Sequence, residues 1–312
     1  MATWRRGVGT GAGTCGELVQ GVLSDGRTFH VTCPISKSST VTIRLRESDE
    51  WQITGVPPER QKLSTAIRSA ADEFGLGPCA VQVRHVSELD VGKGLGSSTA
   101  DIVAAARAVA AAVGDELSSA ELATIATSIE ASDGSMYPQI VAFDQNGGAL
   151  IRRFDWWPQM AVVIVTPSTT LDTASADFTG QADLGHQFDR IIDGLDEAVI
   201  ARDGAAFARA ATESAAFNQQ FIPNHLFDVL AEEYESLGAD GLNVAHTGTC
   251  LGLLFVLPER SGATYGDIAG AVLRNASFAV RRLQAMLPVD VSVDLSVTPA
   301  CGASETFQLK EA

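Results

Sequence analysis

The residues of this chain whose spacing best suits chemistry form one short stretch, Gly92-Lys93-Gly94-Leu95-Gly96-Ser97-Ser98. Three glycines alternate with other residues, two serines follow, and residues 102–113 are then almost entirely Ala and Val. This pattern predicts a glycine-rich loop that leads into the N-terminus of a helix. Glycine permits left-handed torsions and close approach of a ligand, and the free amides and positive dipole end of a helix attract an anion such as phosphate. A tight turn before a core helix is the alternative interpretation.

A second glycine-rich segment lies near the N-terminus, at residues 7–21, and carries the polar side chains of Thr14, Glu17 and Gln20. Its glycine density is too high for the interior of a regular element. Taken alone it predicts a surface loop, because loops collect Gly and Thr. Close packing against another segment is the alternative.

A third glycine-rich segment, residues 245–252, contains His246 and Thr247 and lies between apolar stretches that predict strands. Of the five histidines, His246 is the best candidate for a functional role, because it adjoins this turn. A structural hydrogen bond from its ring to the loop is an equal alternative.

Two carboxylates follow the helix predicted at residues 118–131, whose Ser-Ser-Ala-Glu start resembles a capping box. Glu130 and Asp133 are three residues apart and could share one face. The alternatives are a solvated position for Glu130 and an Asp-Gly turn for Asp133.

The elements that must position these residues alternate between strands and helices, which is typical of an α+β sandwich. A strand at 80–86 leads directly into the glycine-rich loop, and a domain boundary is predicted near Trp156-Trp157, dividing the chain into 1–157 and 158–312. Further strands are predicted at 28–34, 39–46, 149–154, 161–165, 253–257, 289–297 and 306–309, and further helices at 62–74, 184–202, 204–219, 225–237 and 265–286.

The composition of the 312 residues excludes several classes of function. The formal net charge of −16 argues against binding nucleic acid or an anionic membrane through the overall field, so an anionic cofactor would need a local site. Five widely spaced cysteines give no disulfide or zinc pattern and indicate a reduced, cytoplasmic setting. The longest apolar runs are too short to span a bilayer.

The three glycine-rich segments, taken in order, resemble the motifs of the GHMP kinases, the family of galactokinase and of homoserine, mevalonate and phosphomevalonate kinases. The resemblance covers essentially the whole chain. Within the family, residues 13–21, Val31-Thr32-Cys33-Pro34 and residues 92–101 most resemble the L-threonine kinases of cobalamin synthesis. The resemblance implies an α+β GHMP kinase fold, with an N-terminal domain like that of ribosomal protein S5 and a C-terminal ferredoxin-like sandwich.

The resemblance also implies ATP-dependent phosphorylation of free L-threonine to O-phospho-L-threonine by a monomer or homodimer. A homoserine kinase, another small-molecule kinase and a non-catalytic ligand sensor are the alternatives. Mg²⁺ would be held by Ser98 and Glu130, since a hydroxyl and a carboxylate are suitable hard oxygen ligands. Lys93 would add a cation to an ATP-binding loop formed by Val91, Gly92, Lys93, Gly94, Leu95, Gly96, Ser97, Ser98 and Thr99.

The chain departs from the family at the catalytic base. In mevalonate-kinase-like members an Asp lies about seven residues before the Gly-Gly that corresponds to Gly147-Gly148, and here that position is Ile140. Homoserine kinases also lack this Asp. We predict that Asp133 orients or deprotonates the acceptor hydroxyl, with a turn role as the alternative. The acceptor would be bound by Thr14, Glu17, Gln20, His246 and Thr247.

Overall fold

The computed structural model describes residues 3–169, 180–246, 248–259 and 265–301. Its strands are β1 (Arg5–Val22), β2 (Thr28–Glu47), β3 (Gln52–Thr54), β4 (Cys79–Ser87), β5 (Val141–Phe143), β6 (Leu150–Arg153), β7 (Met160–Pro167), β8 (Gly241–Val244), β9 (Leu251–Val256) and β10 (Val291–Val297). Its α-helices are α1 (Lys62–Glu73), α2 (Ser97–Val113), α3 (Ser119–Ile129), α4 (Gly185–Ala201), α5 (Gly204–Asn218), α6 (Phe227–Glu233) and α7 (Tyr265–Met286). The predicted α+β class is confirmed.

The strands form one mixed sheet in the order β10-β7-β9-β8-β1-β2-β4-β3, with β5 attached to β2 and β6 attached to β5. The sheet is continuous between the two halves of the chain, because β1 pairs with β8 through Glu17 and Val244. The polar segment of β1 therefore lies beside β8, just before the third glycine-rich segment. The division at residue 157 remains a prediction.

The prediction of a surface loop at residues 7–21 is wrong, because this segment is most of the long strand β1 and is largely buried. Alternate glycines of the strand lie directly under helix α2. A Cβ atom at Gly7, Gly9 or Gly11 would come within 1.9–2.2 Å of the carbonyl oxygens of Ala108, Ala104 and Ala100. The glycines therefore serve close packing, the alternative that the sequence left open.

Helix α2 is buried on nearly all sides, as its Ala/Val sequence predicts. It packs against β1, β2 and α1, and the side chains of α1, α2, α3, β2 and β4 form one apolar core. This burial fixes the N-terminus of α2, which follows the glycine-rich loop, relative to the strands on which it lies.

Most of the other predicted elements are present with small changes in their limits. The strands predicted at 28–34 and 39–46 are one strand, β2. Helix α3 begins with the predicted capping box, in which the Ser118 hydroxyl accepts from the Glu121 amide. The strand predicted at 306–309 lies outside the described residues. In the part of the chain that the structure covers, no helix combines the length and apolar character needed to cross a membrane.

Candidate active site

The three glycine-rich segments meet at one place. The Thr14 amide of β1 donates a hydrogen bond to the Leu95 carbonyl at 3.0 Å, and the Cys250 amide donates to the Lys93 carbonyl at 2.9 Å. The loop before α2 is thus held by the first segment on one side and by the third on the other. The sequence by itself does not predict that the three segments meet. That expectation comes from the family resemblance, in which the three motifs occur in this order.

The loop needs glycine for both torsion and space. Gly92, Gly94 and Gly96 all have positive φ, of 73°, 84° and 63°. A Cβ at Gly94 would lie 2.4 Å from the Ala245 side chain, and one at Gly96 would lie 2.6 Å from the Thr14 hydroxyl oxygen. Gly96 is the N-cap of α2 and has no side chain with which to satisfy the first amides of the helix. These amides suit a phosphate group.

A buried ion network fixes the loop where it begins. Arg60 donates from Nη1 to Asp101 Oδ2 at 2.7 Å and from Nη2 to the Leu89 carbonyl at 2.7 Å. His85 and Ser39 contact the other oxygen of Asp101 at 2.9 and 2.5 Å. The Asp101 side chain is only 4% exposed, so its partners stabilise a charge that would otherwise be costly to bury.

Ser98 and Glu130 are brought together, as predicted for a metal-binding pair. The Lys62 ammonium group donates to Ser98 Oγ at 3.3 Å and forms an ion pair with Glu130 Oε2. Glu130 Oε1 is buried and has no hydrogen-bond partner among the described residues. A hydroxyl and a carboxylate gathered around a cation fit the oxygen ligands that Mg²⁺ prefers.

The described residues include no cluster of three or more His, Cys, Asp or Glu side chains that could hold a metal ion. Ser98 and Glu130 therefore stay a predicted pair of metal ligands. Two protein ligands are compatible with Mg²⁺, which is usually bound through few protein groups together with substrate phosphates.

The Lys93 ammonium group does not occupy the position expected of a phosphate-binding cation. Its Nζ atom donates to the carbonyl oxygens of Pro167, Ser168 and Thr169 at 2.9, 2.6 and 3.0 Å. Three backbone acceptors at the end of β7 satisfy all three protons of an ammonium group. In this structure Lys93 therefore anchors the loop to the second half of the chain, and its contact with a phosphate stays a prediction.

Side chains of β1, β2 and the third glycine-rich segment form a buried polar cluster beside the loop. The His30 and His246 rings lie 4.5 Å apart, and His246 Nδ1 lies 2.7 Å from Gln20 Oε1. His30 Nδ1 is 3.8 Å from Glu17 Oε1. Neither ring nitrogen of His30 and neither lone pair of Glu17 Oε2 has a hydrogen-bond partner among the described residues.

The charges of this cluster are suppressed by burial. Desolvation, with a smaller contribution from the nearby Asp133 carboxylate, raises the pKa of Glu17 well above its usual value, although a hydrogen bond with Thr32 opposes the shift. Desolvation lowers the pKa of His30 well below its usual value and that of His246 to about 4. A ligand that supplied a cation to Glu17 would reverse the first shift, since an opposite charge favours the ionised form.

Asp133 borders both the loop and the buried cluster. A Cβ at Gly96 would lie 2.9 Å from Asp133 Oδ2, next to the Thr14 hydroxyl. Asp133 Oδ1 accepts a hydrogen bond from the Ser135 amide at 2.9 Å, which is the turn role, while Oδ2 faces Gly96. Desolvation raises the pKa of Asp133 to about 6. Glu130 and Asp133 do not share a helix face, because α3 ends at Ile129 and Glu130 is extended.

The structure thus gathers Thr14, Glu17, Gln20 and His246, the described members of the predicted acceptor set; Thr247 lies outside the described residues. Sequence reasoning missed His30, Thr32, Arg60 and Lys62. Strand register brings the first two into place, since Gln20 pairs with His30 and Glu17 with Thr32. A hairpin register across β1 and β2 would have found both residues.

The known proteins whose sequences are similar to this chain are kinases. The profile of the GHMP kinases N terminal domain matches residues 61–140. L-threonine kinase of Citrobacter freundii is 29% identical over 254 residues, covering 77% of this chain and 83% of that protein. Homoserine kinase of Moorella thermoacetica is 32% identical over 142 residues, covering 42% of this chain and 48% of that protein.

Solved structures show the same fold over nearly the whole chain. Mevalonate kinase from L. major, in complex with R-mevalonate, superposes with a TM-score of 0.66 at 15% identity, covering 97% of this chain and 98% of that chain. Homoserine kinase from Cytophaga hutchinsonii superposes with a TM-score of 0.62 at 15% identity and 95% coverage of both chains. At 15% identity the similarity establishes the fold alone, so only the geometry of the site can indicate the acceptor.

Proposed function

We propose that this chain, a phosphotransferase whose residues 61–140 match the GHMP kinases N terminal domain, phosphorylates the side-chain hydroxyl of free L-threonine with ATP. One observation carries the proposal: Thr14 and Asp133, which border the buried polar cluster, both lie against Gly96 at the start of α2. A hydroxyl held by the cluster would therefore face a phosphate held by the loop.

The nucleotide would be held by the loop from Val91 to Thr99. The amides at the start of α2 would bind the phosphates, and Ser98 and Glu130 would hold Mg²⁺. When bound, this ion supplies positive charge that offsets the negative charge of the transferred phosphoryl group. Val91, whose side chain is half exposed, would lie at the outer edge of this loop.

The acceptor would be an amino acid in its zwitterionic form. Glu17 is buried and has an oxygen without a partner, and the Asp133 carboxylate lies nearby. Two buried carboxylates favour a cationic ligand, because a positive charge between them relieves both their mutual repulsion and their desolvation. The α-ammonium group of threonine would supply that charge, and the polar side chains of His30, Gln20 and His246 would contact the rest of the molecule.

Asp133 would take the proton of the acceptor hydroxyl. The oxygen attacks the γ-phosphorus, the bond to the bridging oxygen breaks, and ADP leaves with that electron pair. A base that titrates near the working pH is the most effective, and burial gives the carboxyl of Asp133 a pKa of about 6. The missing Asp at Ile140 would thus be replaced by a carboxylate from an earlier turn.

The relatives support threonine as the acceptor, because L-threonine kinases of two species, Citrobacter freundii and Salmonella typhimurium, match over about four fifths of their length. Homoserine is the second candidate, supported by the homoserine kinase of Moorella thermoacetica over a shorter span. Both acceptors carry the ammonium group that Glu17 would bind.

An ATP-consumption assay across acceptors tests the proposal. We expect threonine to stimulate ADP release strongly, homoserine and serine more weakly, and mevalonate, which has no ammonium group, not at all. Mass spectrometry should identify the product as O-phospho-L-threonine. A protein that binds ATP but phosphorylates none of these acceptors would instead support a ligand sensor, and a preference for homoserine would replace the first candidate with the second.

A further inference from the structure

Lys62 occupies an unusual position between the two residues expected to hold the metal ion. It is the first residue of α1, and its ammonium group contacts both Ser98 Oγ and Glu130 Oε2. The Glu130 side chain is only 19% exposed, and the Lys62 ammonium group supplies a positive charge beside its carboxylate.

Resting on the proposed function, we propose that Lys62 is an internal counter-cation of the Ser98–Glu130 pair, and that it transfers to the nucleotide phosphates when a divalent cation takes its place. The same side chain would stabilise the empty site and then bind the substrate. It is therefore a nucleotide-binding residue that sequence motifs do not identify.

The Lys62 ammonium group and a divalent cation would compete for the Glu130 carboxylate. An ammonium group and a divalent cation cannot both contact Glu130 Oε2 closely, because like charges a few ångströms apart repel strongly even at the effective dielectric constant of a protein surface. The buried Glu130 Oε1 has no partner among the described residues, so the carboxylate retains an oxygen for a second ligand while Lys62 is present.

The Lys62 side chain also lies within reach of the place where a phosphate would bind. Lys62 contacts the hydroxyl of Ser98, and the amide of the same residue is one of the first amides of α2, where a phosphate would bind. The Lys62 side chain is half exposed, so it is free to turn on its flexible stem. Lys93, the loop lysine, donates to three backbone carbonyls instead.

Two binding measurements on the whole protein should change in opposite directions in Lys62→Met. Titration of the nucleotide-free protein with Mn²⁺, followed by electron paramagnetic resonance, should show roughly threefold to tenfold tighter binding, since a competing cation is gone. Titration with ADP in the presence of saturating Mg²⁺ should show binding weakened by a similar factor, because the phosphates lose the cation that Lys62 supplies once the metal has taken its place at Glu130. Subtraction of the Mn²⁺ bound by Glu130→Gln removes sites elsewhere on this acidic chain.

Lys37→Met is the matched control, because the ammonium group of Lys37 forms an ion pair with a different carboxylate, that of Asp294. It should leave both affinities unchanged. Lys62→Arg, which keeps the charge, should stay within about twofold of the parent protein in both titrations. If Lys62→Met changes neither affinity, or if Lys62→Arg behaves like it, the inference is overturned while the kinase proposal stands. If the parent protein binds no ADP with or without Mg²⁺, the proposed function itself fails.

Discussion

The two sides of the site are built by different means. The nucleotide side consists of backbone at the start of α2 and of partly exposed charges that are already paired, such as Lys62 with Glu130. The acceptor side consists of buried side chains, and two of them, Glu17 and His30, retain atoms without partners in the described chain.

This difference indicates how each side would recognise its ligand. Backbone amides and a metal ion recognise the charge and shape of phosphate groups. Every nucleoside triphosphate has these groups in common. Buried polar groups without partners exert stronger selection, because a ligand that fails to satisfy them leaves them desolvated and unpaired. Specificity for the acceptor should therefore reside in the cluster around Glu17 and His30, and substitutions on the two sides should affect the two ligands separately.

The largest effect is expected where the two sides meet, at Asp133. Asp133→Asn should lower kcat by about 10²- to 10⁴-fold, the range typical of a lost general base, with little change in the KM for ATP. In the parent enzyme kcat/KM for the acceptor should rise with pH through about 6, since Asp133 accepts a proton only when ionised. Steady-state kinetics between pH 5 and 8 measures both.

Asp144→Asn is the control for this variant, because Asp144 lies in the turn between β5 and β6. It should leave kcat and its pH profile unchanged. Full activity of Asp133→Asn would show that the acceptor reacts without a base, as has been suggested for homoserine kinases, and would leave Asp133 with its turn role.

The next effect concerns Gly96, where the loop before α2 touches the buried cluster. Gly96→Ala should lower kcat/KM by about 100-fold, because a Cβ there would displace Thr14 and Asp133 and an ångström of misplacement is enough for such a loss. Gly92→Ala is the matched control. It has a similar positive φ, but among the described residues beyond its chain neighbours no atom lies within 4 Å of its Cβ position, so it tests strain without a clash. Equal losses in the two variants would mean that backbone strain, and not the contact with the cluster, sets the effect.

A smaller effect should separate the two ligands. Glu17→Gln should raise the KM for threonine by roughly 10- to 100-fold, the value of a hydrogen bond between charged groups, and leave the KM for ATP within about twofold. Initial-rate kinetics with each substrate varied in turn makes the comparison. A parallel rise in both constants would show that Glu17 supports the fold of the site and does not contact the acceptor.

The same division explains what the sequence could predict. The phosphate loop was predictable, because its glycines and the following alanines are adjacent in the chain and their torsions and packing are local properties. The limits of α1 and the capping box of α3 were predictable for the same reason. The strand at residues 7–21 was mistaken for a loop, because its glycines are explained by the backbone of α2, about ninety residues away.

The acceptor cluster depends on such distant pairings throughout. His30 faces Gln20 only through the register of β1 and β2, and it meets His246 only because β8 lies beside β1. Lys62 likewise reaches Ser98 and Glu130 through the packing of α1 against α2 and α3. The types of these residues carry no signal in the sequence that would distinguish them from other polar side chains.

The smallest effect tests whether His30 is buried as a neutral ring. Burial lowers the pKa of folded His30 well below its usual value of 6.5, so below pH 6.5 the unfolded chain binds a proton that the folded chain does not. This contribution makes the protein less stable as the pH falls, by at most about 1.4 kcal/mol per pH unit. His30→Asn removes it, so the free energy of unfolding of the variant, relative to the parent, should rise by about 1 kcal/mol between pH 6.5 and 5.5.

Glu17 and Asp133, whose raised pKa values act in the opposite direction, are present in both proteins, so their contributions to the free energy of unfolding largely cancel in the difference. His186→Asn, at a side chain that is 89% exposed, should show no such change in urea denaturation at the two pH values. A constant difference for His30→Asn would mean that His30 binds its proton alike in the folded and unfolded chains, and that burial does not keep the ring neutral. A difference that falls as the pH falls would mean that the folded state holds the proton, in the ion pair with Glu17.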